Sequence, residues 1–183
     1  MKILESGDDL RYFKCDIMSI IFKRQSVRRF RDEEVSDELI EKLLKAGMQA
    51  PSAGNGQPWE FIVVSKKEDK LAISKMHQFA TPAMYASKLI VTLGNLNQTP
   101  FSMMIEQDLG ACNENILLQA TDEGLGAVWL GFYPIEDRTL KLKEYLNIPD
   151  YCIPFSVICV GYPQNKGNVK LRFDESKIHY DKY

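Results

Sequence analysis

Two spacings of apolar positions run through this chain. "EVSDELIEKLLKAGMQ" (34–49) puts Leu39, Ile40, Leu43, Leu44 and Gly47 on one side of a 3.6-residue repeat, which predicts an amphipathic helix. Ser36 stands at its N-cap, and Val35 is placed to staple against Ile40. "KEDKLAISKM" (67–76) and "EDRTLKLKEYL" (136–146) share the period, and "IMSIIFKRQ" (17–25) reads as a short helix. "MIEQDLGACNENILLQATDEG" (104–124) is longer and apolar on several sides, so it predicts a buried helix closed by Gly124. Four β-branched runs predict strands: "WEFIVVS" (59–65), "KLIVTLG" (88–94), "AVWLG" (127–131) and "FSVICVGY" (155–162). The first is almost unbroken in its apolar residues and is expected to lie centrally in its sheet.

Between a predicted helix and a predicted strand lies "APSAGNGQPW" (50–59). Two prolines and two glycines forbid regular structure there. A surface turn accounts for those four residues but not for Ser52, Asn55, Gln57 and Trp59 beside them.

The chain has 183 residues, a length suited to one domain with a sizeable core. A formal charge of -2 points away from nucleic acid or an acidic membrane as the main partner. No run approaches the length of a membrane span, and the charged first fifteen residues do not read as a signal peptide. They are expected to form an N-terminal extension (1–16) to a single domain over 17–183. The four cysteines, Cys15, Cys112, Cys152 and Cys159, form no C-x-x-C pair, which suits reduced thiols in a cytoplasm. The polar, basic last twenty residues read as an arm crossing another surface.

Histidines 77 and 179 are far apart and no metal-ligand or triad spacing accompanies them. "GLGAVWLG" (124–131) fails as a dinucleotide fingerprint, because its sixth position is Trp129 and it follows a helix. In "RQSVRRFR" (24–31), Arg24, Ser26 and Arg28 alternate and would share one face of an extended segment. Two guanidinium groups and a hydroxyl suit a phosphate; the alternative is a solvated basic turn. Lys170 and Arg172 alternate near the other end and carry the same ambiguity.

In this order and spacing, Arg-x-Ser-x-Arg, then Pro-Ser-x-x-Asn-x-Gln-Pro-Trp, then a long helix ending in "GLGAVWLG", then "VGYP" (160–163) and Arg172 with "IHY" (178–180), the chain resembles the FMN-dependent nitroreductases from about residue 17 to its end. The resemblance implies an α+β fold, a three-layer sandwich with a mainly antiparallel sheet, in an intertwined homodimer with FMN sites at the subunit interface. It implies that Arg24 and Ser26 hold the FMN phosphate, with Gln25 near the ribityl chain and Arg28 at the N1/O2 edge of the ring. Arg172, with Lys170, would reach the phosphate from the C-terminal arm. Leu130 and Gly131 would offer backbone N–H groups near N5. Pro51, Ser52, Ala53 and Asn55 would enter the flavin site of the other subunit, while Gln57 and Trp59 anchor that loop. The implied activity is hydride transfer from NADH or NADPH through flavin N5 to a small acceptor such as a nitroaromatic or quinone. The flavin does the redox chemistry, so no catalytic side chain is expected. A flavin carrier or redox-sensing module without nicotinamide turnover is the alternative. Phe101, Met103 and Met104 either line an apolar substrate pocket or pack.

Overall fold

The computed structural model describes residues 19–165, 167 and 172–183. The expected extension 1–16 and Lys170 lie outside them. Four strands form one antiparallel sheet in the order β1-β2-β4-β3: β1 (Trp59–Val64), β2 (Lys88–Asn95), β3 (Gly126–Gly131) and β4 (Cys152–Gly161). Among the described residues six α-helices accompany them: α1 (Ile20–Lys23), α2 (Asp37–Met48), α3 (Lys67–Ser74), α4 (Pro82–Tyr85), α5 (Ile105–Asp122) and α6 (Glu136–Leu146).

The period-two alternation along each strand divides the core in two. Leu89, Val91, Val128, Leu130, Val157 and Cys159 pack on one face of the sheet with Ile73 of α3, Ala83 of α4 and Leu142 of α6. Ile90, Ala127, Ile158 and Val160 pack on the other with Ile40 and Leu43 of α2 and with Leu109, Cys112 and Ile116 of α5. The result is the expected three-layer α+β sandwich.

β1 is an edge strand, not a central one. Its unbroken apolar run reports two covered faces: Trp59 and Phe61 serve one core, Ile62 and Val64 the other. Covered faces and paired edges are independent, and only β2 and β4, buried along nearly their whole length, have neighbours on both sides. β4 also begins earlier than its sequence suggests, at Cys152, with Pro154 tolerated where a bulge shifts the register between Thr92 and Leu93. α4, a single turn opened by a proline, has no apolar period to announce it.

The local signals of α2 hold. Ser36 Oγ accepts the Leu39 N–H at 3.4 Å, and Val35 and Ile40 are both buried in the same core. α5 ends as its glycine predicts. Gly124 sits at φ 72° just past the helix, and Leu125 N–H returns to Ala120 O at 2.8 Å.

Candidate functional site

The outer edge of β3 organises the residues singled out by sequence. Residues 24–28 leave α1 in an extended conformation and run parallel to β3. Ser26 bridges Ala127, and Val27 N–H donates to Ala127 O at 2.9 Å. Val27 points inward and is half-buried, which turns Ser26 and Arg28 to the exposed side. Gly126 permits this close approach, since a Cβ there would fall 2.7 Å from Val27 Cγ1. Arg24, Ser26 and Arg28 thus gather beside the start of β3, since Phe30 already packs on Gly161 opposite Gly126, and Gly131 stands at the strand's far end. Ala127 and Gly131 are four residues apart, roughly 13 Å of strand.

Arg24 is held by Glu114 of α5, Nε to Oε1 at 3.1 Å, so the two terminal amino groups of its fork have no partner among the described residues. Gln25 is covered by the segment that follows β4, because a Cβ at Gly167 would overlap its amide. That segment runs beside residues 29–31: Phe30 bridges Pro163, Arg31 N–H donates to Tyr162 O at 2.8 Å, and Gln164 N–H to Arg29 O at 3.1 Å. Arg172 lies beyond it and is exposed.

The two predicted amide donors of β3 face opposite ways. Phe132 N–H donates to Phe155 O of the β4 chain, and Leu130, two residues earlier opposite Val157, shares that inward orientation. Gly131 faces the outer edge with Ala127. A Cβ on Gly131 would meet nothing within 4 Å, so the space beside it is open. Its carbonyl accepts from Arg138 Nη1 at 3.0 Å. Arg138 stands near the N-terminus of α6, where the helix dipole disfavours a cation. Sequence pattern gave no reason to single it out.

The 50–59 loop folds into a short 3₁₀ turn, Ala53–Asn55. Gln57 N–H donates to Ser52 Oγ at 3.0 Å, and Gln57 Nε2 to Asn55 Oδ1 at 3.1 Å. The Asn55 oxygen is thus engaged and its Nδ2 is the group left to donate outward. Pro51 is exposed; Ser52 and Ala53 are half-buried. Gly54, at φ 58°, lies against the Phe101 ring, where a Cβ would come within 2.7 Å of Cε2. Phe101 therefore packs on this loop. Met104 is half-buried with Gln107 Nε2 against its sulfur at 3.7 Å, while Met103 is 81% exposed. Trp59 is buried and starts β1, as expected of an anchor.

α5 underlies all of these parts. Asp108 Oδ1 accepts the Ala53 N–H at 2.9 Å. Asn113 accepts from Thr92 Oγ1 at 2.8 Å and donates to Ser156 Oγ at 2.7 Å, a fully buried chain that ends opposite Gly131 in the β3–β4 register. Glu114 holds Arg24. Asp108, Asn113 and Glu114 were unmarked in the sequence, since polar residues on a long helix read as its solvated face.

Other ionisable groups are poor candidates for chemistry. Burial pushes the Cys112 thiol up to about 12, the Cys152 thiol to about 11, with Glu60 adding to the effect, and raises Cys159 too. All three stay protonated and unreactive near neutrality. Burial lowers His77, and the charge of Arg138 adds to it. At Lys88 burial opposes the charge, but hydrogen bonds and attraction from Asp37 and Glu34 outweigh it and the net shift is upward. Among the described residues, no helix is long and apolar enough to cross a membrane.

A sequence profile of the Nitroreductase family matches residues 21–91 and 81–162. An Archaeoglobus fulgidus protein, provisionally named an NADH dehydrogenase/NAD(P)H nitroreductase, is 42% identical over 92% of this chain and 99% of its own length. A crystal structure from Clostridium acetobutylicum, provisionally named an NADH oxidase, superposes with a TM-score of 0.88 at 46% identity, covering 90% of this chain and all of that one. A Desulfovibrio desulfuricans structure, provisionally named a nitroreductase and solved in complex with FMN, superposes at 0.78 with 28% identity over 90% of this chain and 95% of its own. With the shared sheet, the Arg24–Arg28 segment on β3 and the loop seated on α5, these likenesses establish that the chain belongs to the nitroreductase family.

Proposed function

We propose that this chain is an FMN-dependent NAD(P)H oxidoreductase acting on a small organic acceptor of nitroaromatic or quinone type. The observation that carries the reading is the parallel bridge between Ser26 and Ala127. It sets Arg24, Ser26 and Arg28 beside the start of β3, with the open edge amide of Gly131 roughly 13 Å along the strand. A molecule with a phosphate at one end and a flat ring at the other fits that sequence of groups. The FMN in the Desulfovibrio desulfuricans relative supports it.

In this arrangement the free amino groups of Arg24, with Ser26, take the phosphate, and Gln25 lies along the ribityl chain. Arg172 and Lys170 approach the phosphate from the C-terminal arm. Arg28 offsets negative charge at the N1/O2 edge, which favours the reduced ring. Gly131, rather than Leu130, donates the amide at N5, since the Leu130 N–H is spent within the sheet. Pro51, Ser52, Ala53 and Asn55 close over the ring of the partner's site, with Asn55 Nδ2 as donor. Bound FMN supplies the redox chemistry, taking hydride from NADH or NADPH and passing electrons on to the acceptor. The chain's own groups bind and orient it. The functional unit is a homodimer with two sites at the subunit interface, and the buried, unpaired cysteines suit a reducing cytoplasm.

Purified protein reconstituted with flavin tests the proposal. The expected results are FMN, identified by mass spectrometry of the released cofactor, and steady-state oxidation of NADH or NADPH when menadione or a nitroaromatic is added. FAD, or no flavin, overturns it. FMN without nicotinamide turnover identifies a flavin carrier instead.

A further inference from the structure

We propose that Asp108 is a positioning residue for the flavin site, holding residues 51–57 in the shape that receives the ring; the proposal rests on the FMN reading above. The loop has an awkward backbone. Gly54, Asn55 and Gln57 all lie at positive φ, 58°, 55° and 49°, and for the two residues with side chains this is strained. Such a conformation persists only where its surroundings over-determine it.

The loop's own hydrogen bonds do not provide that. Gln57 to Ser52, Gln57 to Asn55, Asn55 to Ser52 and Gly56 to Ala53 all begin and end inside residues 52–57. They shape the loop without tying it to the body. Among the described residues, the hydrogen bond of this segment that leaves it is Ala53 N–H to Asp108 Oδ1, 2.9 Å long and spanning 55 positions. Packing supports the same seat: Gly54 rests on Phe101 and Gly56 on Thr99, both in the segment leading into α5.

Asp108 is an expensive choice for a structural peg. It is 5% exposed, and its second oxygen, Oδ2, is buried with no hydrogen-bond partner. A buried carboxylate bonded through one oxygen opposes folding, and its place in the first turn of α5 offsets this only in part. What the side chain provides is a fixed acceptor that locks one amide of a strained loop. Ala53 is the centre of the Ser52–Asn55 stretch, so locking its amide sets the direction of the groups on either side.

Two substitutions remove the lock from opposite ends. Asp108→Ala deletes the acceptor. Ala53→Pro deletes the donor, and Ser52, at φ -143° and ψ 153°, already has the extended backbone that a following proline requires. Asp108→Asn keeps an acceptor oxygen in a side chain of the same shape. Titrating each apoprotein with FMN and following flavin fluorescence should give an affinity about tenfold weaker for Asp108→Ala and Ala53→Pro, and within about threefold of wild type for Asp108→Asn. Hydrogen exchange on the apoproteins should show faster exchange at residues 51–57 in the first two and unchanged protection along α5. Rescue by Asp108→Asn separates positioning from mere packing. Wild-type affinity and loop protection in Asp108→Ala or Ala53→Pro would overturn the proposal, as would an Asp108→Asn protein as impaired as Asp108→Ala. If Asp108→Ala fails to fold, Ala53→Pro and Asp108→Asn still decide. A wild-type protein that binds no FMN overturns the flavin reading instead, and the exchange measurement still reports whether the lock exists.

Discussion

Gly126→Ala probes the contact on which the proposed site is built. The new Cβ would stand 2.7 Å from Val27 Cγ1, 2.8 Å from its Cβ and 2.9 Å from Cγ2. Because Val27 Cβ is itself in the clash, no rotation about χ1 relieves it, and the whole 26–28 segment must move off β3. Overpacking of this kind costs about 1–3 kcal/mol. The Val27 N–H to Ala127 O bond of 2.9 Å is lost or stretched at the same time, adding about 0.5–1.5 kcal/mol. A destabilisation of about 1.5–4.5 kcal/mol follows, read as a lower urea midpoint at unchanged m-value. Arg24, Ser26 and Arg28 travel with Val27, so FMN affinity measured by fluorescence titration should fall as well. Adding Val27→Ala removes two of the three clashing atoms and should recover part of both losses. Gly110→Ala is the control: its Cβ would meet only Trp129 Cη2 at 3.9 Å, and within α5 it should stabilise by about 0.5–1 kcal/mol. A Gly126→Ala protein with wild-type midpoint and wild-type affinity would refute the placement of the Arg24–Arg28 segment on β3.

Arg28→Ala should lower the flavin midpoint potential more than it weakens FMN binding, and Arg172→Ala should weaken binding by about tenfold with little change in potential; redox and fluorescence titrations of both decide. Thr92→Val leaves Asn113 Oδ1 without its donor in a fully buried site and should cost about 1–3 kcal/mol by urea denaturation. His77 has a folded pKa below its ordinary value, so the unfolded chain takes up the proton first. Stability should therefore decline as pH falls through the ordinary histidine range near 6.5, and His77→Gln should flatten the melting temperature between pH 7.5 and 5.5. If Arg24 and Asn55 of different protomers share a site, refolding inactive Arg24→Ala and Asn55→Ala chains together in equal amounts should restore roughly a quarter of the sites, and neither chain alone should recover.

Helices and strands were readable in this sequence wherever one residue type decides the local geometry. Ser36 fixed the start of α2, Gly124 the end of α5, and β-branched apolar runs marked the four strands. The lateral position of β1 was not readable, because an apolar run records what covers a strand and not what lies beside it. The arginine and serine positions of 24–28 were marked by their alternation, and the 50–59 loop by its excess of polar side chains over what a turn needs. Their supports were hidden. Asp108, Glu114 and Arg138 matter through partners 55, 90 and 7 positions away, and nothing in a helical period distinguishes such a residue from one that faces water. Leu130 and Gly131 are adjacent in sequence, yet only the pairing of β3 with β4 tells their amides apart.

The place of β4 has a consequence for how the chain is made. Among the described residues it is the last strand in sequence, but it lies inside the sheet, between β2 and β3. Until its residues have been synthesised, β2 carries an unpaired inner edge of Leu89, Ile90 and Val91, and β3 has no strand to join. Pairing across the 56 residues between the end of β2 at Asn95 and the start of β4 at Cys152 is slow, since a long loop must close first. The nascent chain therefore holds an apolar strand edge open from the completion of β2 until β4 is made, the condition under which chains aggregate or recruit chaperones. A truncation between Asn95 and Cys152 makes that state permanent, because what is removed is the strand that pairs with the inner edge of β2.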